Sequence, residues 1–191
     1  MAFSGGSTAP PMMAELLGRQ RAIPWNRIEA WQVDERVAPD GDPDRNAGQL
    51  VDLPCTVHLM PVTATDLAGA AADYDATLPQ RFDVVHLGMG ADGHTASWPP
   101  GDPVVDEAAG GRVGISRRYQ GRVRMTLLPA PVNEATGRVV LIMGKDKAPA
   151  VAAWLEGAPF EGTDLPIAKV ERRNCVLVLD AAATSALRAR W

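Results

Sequence analysis

The run Asp83-Val84-Val85-His86-Leu87 passes without a break into Gly88-Met89-Gly90-Ala91-Asp92-Gly93-His94. A short, nearly continuous apolar run offers no polar face to water. It therefore reads as a strand covered on both sides, the habit of a parallel sheet. The segment after it is too rich in glycine for helix or strand, so it is a loop at that strand's carboxyl end. The same order recurs along the chain. Met1–Phe3 ends a strand and opens into Ser4-Gly5-Gly6-Ser7-Thr8, and a helix over Pro11–Leu17 comes next, with proline in its first turn and Gly18 just past its end. Ile28–Val33 is a strand that runs into a polar loop over Asp34–Asn46. Val57–Met60 reads as a strand and Thr65–Leu78 as an Ala-rich helix. Arg138–Met143 is the clearest strand; Gly144 stops it, and a helix spans Lys145–Glu156. Cys175–Leu179 is a last strand and Ala181–Arg190 a last helix. This alternation predicts an α/β fold in three layers, a mostly parallel sheet flanked by helices.

In such sheets ligands bind beyond the carboxyl ends of the strands. The three most polar, Gly-rich segments (4–8, 34–46 and 88–97) all come after predicted strands and are expected to converge on one face. A chain of 191 residues is the size of one domain, and we expect a single one over 1–191. No stretch approaches the ~20 apolar residues of a spanning helix, and Met1–Pro11 lacks the basic and apolar regions of a secretory signal. Nineteen basic and 23 acidic side chains leave a net charge of −4. That balance argues against nucleic acid or an anionic membrane as a partner. Two cysteines without metal-type spacing suit a reduced, cytoplasmic setting.

Each polar segment carries groups that suggest chemistry. In Ser4-Gly5-Gly6-Ser7-Thr8, two glycines let backbone N–H groups approach a ligand closely. The hydroxyls add donors, and the next helix directs its positive end at an anion. The spacing is not that of a Walker loop. In Asp34-Glu35-Arg36, alternation puts Asp34 and Arg36 on one face, where the guanidinium suits a phosphate or an oxyanion. In Asp92-Gly93-His94, an imidazole with an ordinary pKa of about 6.5 stands two residues from a carboxylate that can fix its tautomer. His58 and His86 fall inside strands, and three histidines so scattered do not suggest a zinc site. Arg124 and Lys147 are further candidate anion ligands.

Together these segments resemble the 6-phosphogluconolactonase family, within the wider group that includes glucosamine-6-phosphate deaminases. Ser4-Gly5-Gly6-Ser7-Thr8 with Pro10 is similar to the family's opening phosphate loop, with Ala9 inserted. Asp34-Glu35-Arg36-Val37-Ala38-Pro39, then Asp42-Pro43-Asp44-Arg45-Asn46, resembles its D-E-R-x-V-P…D-P-x-S-N stretch. Gly88-x-Gly90-x-Asp92-Gly93-His94-Thr95-Ala96-Ser97 is close to its G-x-G-x-D-G-H-T-A-S signature. Arg124-Met125-Thr126-Leu127 resembles its R-x-T segment, and Gly144-x-x-Lys147-Ala148 its late G-x-x-K-A.

The resemblance implies a NagB/Rossmann-like fold and hydrolysis of 6-phospho-D-glucono-1,5-lactone, a sugar phosphate lactone, with neither metal nor organic cofactor. It implies His94 as the base that activates water, Asp92 orienting His94 or binding substrate, and Arg36 on the oxyanion or the phosphate. Ser4, Gly5, Gly6, Ser7, Asp34, Arg124 and Lys147 would hold the substrate and its phosphate. A monomer or weak homodimer is expected.

Two alternatives stand beside it. The deaminase branch carries a carboxylate five residues after the histidine, where this chain has Pro99, and lacks the arginine after Asp34-Glu35. A non-catalytic sugar-phosphate-binding module of the same fold would bind without turnover. The family normally carries a helix and the rest of the first strand ahead of the first loop, whereas Ser4 stands three residues from the start. The expectation is a shortened first strand with an exposed edge, a looser loop at 4–8, lower stability and weaker phosphate affinity. Trp98-Pro99-Pro100 departs from the family's apolar-aromatic-proline run and is expected to reshape the pocket rim.

Overall fold

The computed structural model describes residues 1–106, 111–161 and 164–188. In chain order the elements are β1 (Ala2–Phe3), α1 (Ala9–Gly18), β2 (Glu29–Gln32), β3 (Asp34–Arg36), β4 (Thr56–His58), α2 (Leu67–Thr77) and β5 (Val84–Leu87). Then come β6 (Val113–Tyr119), β7 (Arg122–Leu127), α3 (Pro129–Asn133), β8 (Gly137–Ile142), α4 (Ala148–Glu156) and β9 (Cys175–Leu179). Six strands form one sheet in the order β4-β2-β1-β5-β8-β9, and every pairing in it is parallel. Its strands are the ones the sequence predicts, within about two residues at their ends.

The sequence reading missed a second sheet of three antiparallel strands, ordered β3-β7-β6. Its first strand takes the opening three residues of the expected polar loop at 34–46. The two sheets meet at Val33, between β2 and β3. Its N–H donates to the Phe3 carbonyl of the large sheet at 2.9 Å, and its own carbonyl accepts the Leu127 N–H of the small sheet at 2.7 Å.

Helix ends are set by local chemistry. Pro10 and Pro11 sit in the first turn of α1, where a missing N–H costs nothing. Asp66 caps α2 by accepting the Gly69 N–H at 3.0 Å. The expected helix from Lys145 begins as a 3-10 turn over Lys145–Lys147 before α4, and Gly157, with φ 66°, ends it in the left-handed region.

The expected last helix is absent over 181–188, which form turns; 189–190 lie outside the described residues. The Asp180 carboxylate takes the Ala183 N–H, while the Thr184 and Ser185 hydroxyls donate to the carbonyls of Ala181 and Ala182. Side chains that satisfy the backbone locally compete with the helical ladder. The expected exposed edge at the first strand is also corrected. Two residues long, β1 lies inside the sheet and pairs with β2 on one side and β5 on the other. The sheet's edges are β4 and β9.

The main core fills the space between one face of the large sheet, α2, α4 and the small sheet. Phe82, Leu87, Trp98, Leu127 and Ile142 are fully buried in it. A smaller core under α1 holds Phe3, Met13, Trp25, Leu50 and Leu53. Trp98, expected at the pocket rim, is instead a core residue with no exposed surface, its indole N–H donating to the Leu127 carbonyl at 2.8 Å. A ring of that size with one polar atom is well served where a buried carbonyl at a strand end can accept its N–H. Among the described residues, no helix is long and apolar enough to cross a membrane.

Candidate active site

The three Gly-rich segments converge, as expected, at the carboxyl ends of the parallel strands. They line one open cavity of roughly 540 Å³. Ser4, Gly5, Gly6, Ser7, Asp34, Arg36, Asp92, His94, Arg124 and Lys147 all face it. So do Asn46, which the sequence reading placed in a matched stretch without giving it a role, and Tyr119 and Gln120, which it did not single out.

The 4–8 loop hangs from the sheet. The Ser4 N–H donates to the His86 carbonyl at 3.1 Å, and the Gly6 N–H to Gln49 Oε1 at 3.2 Å. Asp34 ties this loop to the one after β5: its carboxylate accepts the Ser4 hydroxyl at 2.8 Å and the Ser97 hydroxyl at 2.7 Å. Strand alternation turns Glu35 the other way, into a fully buried nest. There it accepts the N–H groups of Arg36, Asn46 and Ala47 at 2.7 to 2.8 Å and the Gln32 amide at 2.8 Å. A buried carboxylate so fully partnered organises the turn at 46–49. Asn46 passes that order on, since its Oδ1 accepts from Arg36 Nη1 at 3.1 Å. A Cβ on Gly5 would lie 2.3 Å from the Asn46 side chain, so this loop needs glycine there.

Arg36 and Arg124 stand directly opposite each other on β3 and β7. Like charges in cross-strand register repel. Arg124 is almost fully buried, and its Nε has no hydrogen-bond partner among the described residues. Burial pulls its pKa down, Asp34 works the other way, and Arg36 adds to the lowering. Its Nη2 donates to Gln120 Oε1 at 3.1 Å, and the guanidinium lies 5.0 Å from the Tyr119 ring centroid. Two facing guanidinium groups, one with an unmet buried N–H, have the chemistry of an anion site. Lys147 reaches the same cavity from the turn before α4 and pairs with Asp146 at 2.6 Å.

His94 Nδ1 lies 2.6 Å from Asp92 Oδ1. Burial works to raise the Asp92 pKa, but hydrogen bonds from His94 and Tyr119 outweigh it and hold the carboxyl well below the usual range. A carboxylate only accepts, so Nδ1 carries the proton and Nε2 is left as the basic nitrogen. The backbone makes room for this pair. A Cβ on Gly90 would fall 2.1 Å from His94 Nδ1 and 2.7 Å from Asp92 Oδ1, and Gly93 adopts φ 78°. Among the described residues, no group of three or more His, Cys, Asp or Glu is placed to hold a metal ion.

Tyr119 and Gln120 sit at the tip of the β6–β7 hairpin. A signal for them was present: Gln120-Gly121 between runs in which Val113 and Ile115, then Val123, Met125 and Leu127, alternate with other residues marks a tight hairpin. The arginines scattered through both runs hide it.

Comparison with known proteins agrees with this picture. The family model described as glucosamine-6-phosphate isomerases/6-phosphogluconolactonase matches residues 1–179, and the chain belongs to that family. It is 34% identical to a 6-phosphogluconolactonase from Streptomyces coelicolor, over 97% of this chain and 80% of that protein. It is 30% identical to one from Mycobacterium tuberculosis, over 97% of this chain and 83% of that protein. The fold matches 6-phosphogluconolactonase from Leishmania guyanensis with a TM-score of 0.81 at 24% identity, over 99% of this chain and 87% of that one. It also matches a monomeric glucosamine-6-phosphate deaminase with a TM-score of 0.80 at 19% identity, over 97% and 87% of the two chains. The NagB-type fold read from the sequence is the observed one.

Proposed function

We propose that this chain is a 6-phosphogluconolactonase: it hydrolyses 6-phospho-D-glucono-1,5-lactone to 6-phospho-D-gluconate, the second step of the oxidative pentose phosphate pathway. The carrying observation is one cavity with a carboxylate-oriented imidazole at one end and two opposed, buried-to-half-buried arginines at the other. The substrate has the same two ends, a ring ester and a phosphate. His94 Nε2 takes a proton from water as the water oxygen attacks C1. The tetrahedral intermediate then expels the ring oxygen, the C1–O bond breaks, and the imidazolium returns its proton to that oxygen. Positioned acid–base groups of this kind contribute about 10²–10⁴ in rate. Asp92 orients the imidazole and stabilises it when charged.

Arg36 belongs to the phosphate end. An adjoining recess is lined by Gly6, Ser7, Arg36 and Arg124 but not by Asp92 or His94. The glycine loop at 4–8 and the ammonium of Lys147 face the adjoining main cavity, beside that recess. The activated ester needs a well-placed base, which this cavity offers in His94. Two free cysteines accord with a cytoplasmic enzyme.

The deaminase reading lacks its carboxylate, because the fifth residue after His94 is a buried proline, Pro99. The test is the rate on freshly made lactone, with spontaneous hydrolysis subtracted, for this protein and for His94→Ala, beside ammonia release from glucosamine 6-phosphate. We expect a catalysed lactone rate that falls about 10²- to 10⁴-fold in the variant. A wild-type rate no faster than background, or release of ammonia, overturns the reading.

A further inference from the structure

We infer that Tyr119, aimed by Gln120, is a positioning residue that fixes the Asp92–His94 pair relative to the arginines of the small sheet. The inference rests on the proposed function for its rate predictions, though not for its spectroscopic one.

Asp92 and His94 lie two residues apart on one loop. Their contact sets the imidazole relative to the carboxylate but not relative to the rest of the cavity. Asp92 is partly exposed, and its Oδ1 is already shared between the His94 ring at 2.6 Å and the His94 N–H at 3.3 Å. Its Oδ2 is the atom that would otherwise face solvent. The Tyr119 hydroxyl donates to that oxygen and also lies 3.1 Å from His94 Nδ1, so the Nδ1 proton is shared between Asp92 and the phenol oxygen. The two rings meet edge to face, 5.3 Å apart at 66°.

Tyr119 comes from β6, on the sheet that carries Arg36 and Arg124. It is therefore the strut between the base and the anion end. The phenol is itself held. Gln120 Nε2 donates to its oxygen at 3.0 Å, and Arg124 lies over its ring. Burial, the Asp92 hydrogen bond and the Asp92 charge all keep the hydroxyl protonated and donating.

The backbone is strained by this arrangement. Gln120 has φ 48°, a left-handed conformation that a two-residue turn usually gives to Asn, Asp or Gly. Asparagine at that position would relieve the turn but would be one methylene short of both partners. The register shift between Ser116 and Tyr119 turns the hairpin tip so that Tyr119 faces the cavity.

The test uses Tyr119→Phe, which keeps the ring and removes the strut. Losing a hydrogen bond to a charged group costs a factor of about ten or more. We expect kcat on the lactone to fall about tenfold, with KM changed less than about twofold, because binding is left intact. Asp92, freed of one donor, becomes a stronger partner for the imidazolium, so the acid limb of kcat/KM moves to higher pH. The other charged groups on the cavity are Arg124 and Arg36 with Asp34 from the small sheet, and Lys147 with its partner Asp146 from the turn before α4. All are present in both proteins.

Independently of turnover, nitrogen-15 NMR of the free protein labelled at histidine should give a slowly exchanging Nδ1–H for His94 that is lost or broadened in the variant. Gln120→Gly, which relieves the backbone, should produce the same changes to a smaller degree with no loss of melting temperature. An unchanged kcat, pH profile and His94 signal in folded Tyr119→Phe overturns the inference. So does a rise in KM with kcat intact, since Tyr119 would then be a substrate contact. A wild type that is inactive on the lactone but gives the expected NMR change sinks the function and leaves the strut standing.

Discussion

At the residue scale, the cavity depends on where a side chain is missing. Gly90 lies so close to the imidazole that one methyl group would occupy the space of His94 Nδ1 and Cε1. Gly90→Ala therefore has to push the ring off Asp92. The glycine's φ is not in the left-handed region and its neighbours are loop residues, so the fold has little reason to object. We expect lactone turnover to fall about a hundredfold or more, the order lost when an acid–base group is displaced. The melting temperature should stay within a few degrees, as read by calorimetry. A variant that keeps wild-type turnover would mean that His94 does not work from this position.

At the scale of elements, β5 carries a cost that the site does not explain. His86 lies at the middle of the sheet, beside the Phe3 ring, almost fully buried, and neither ring nitrogen has a partner among the described residues. Burial pushes its pKa down from 6.5 to about 4, against an opposing influence of the Ser4 backbone. The sign depends on which state binds the proton first. Between those two values the unfolded chain is protonated and the folded chain is not, so stability is full above about pH 6.5 and declines as pH falls toward 4. A shift of that size corresponds to about 3 kcal/mol. Chemical denaturation across this range should give a steeper acid loss for the wild type than for His86→Leu, and parallel curves would refute the assignment.

The elements also mark what could be read from residues alone. The large sheet was legible because buried parallel strands are written as apolar runs, and its loops because glycine and charge interrupt those runs. The residues named from the sequence all face one cavity for the same reason: all but Arg124 lie shortly after a strand of that sheet. The small sheet was not legible. Its β6 exposes Arg117 and Arg118, and its β7 buries Arg124, so charge falls on both sides of the alternation that would announce a hairpin. Tyr119 and Gln120 were lost with it. Trp98 was misplaced because a ring beside two prolines looks like a rim, whereas its indole N–H needed a buried carbonyl.

At the scale of the whole molecule, binding and stability are linked through the two facing arginines. Without an anion, the fold holds two like charges in cross-strand register, one of them buried. A ligand that binds only the folded chain stabilises it by mass action, about 2.7 kcal/mol at a hundred times its Kd. Inorganic phosphate should therefore raise the melting temperature of the wild type. Arg124→Met should melt at or above the wild type in phosphate-free buffer, because the repulsion is gone and the stem's volume is kept. It should gain little from added phosphate, and its KM for the lactone should rise at least about tenfold. Equal phosphate gains in both proteins would show that the anion binds elsewhere.

The junction at Val33 has a mechanical consequence. One residue is shared by both sheets, and the wall that bears the arginines cannot tilt away from the wall that bears the imidazole without breaking the hydrogen bonds on either side of it. The distance between the imidazole and the facing guanidinium groups is a fixed length, which makes the cavity a ruler for its guest.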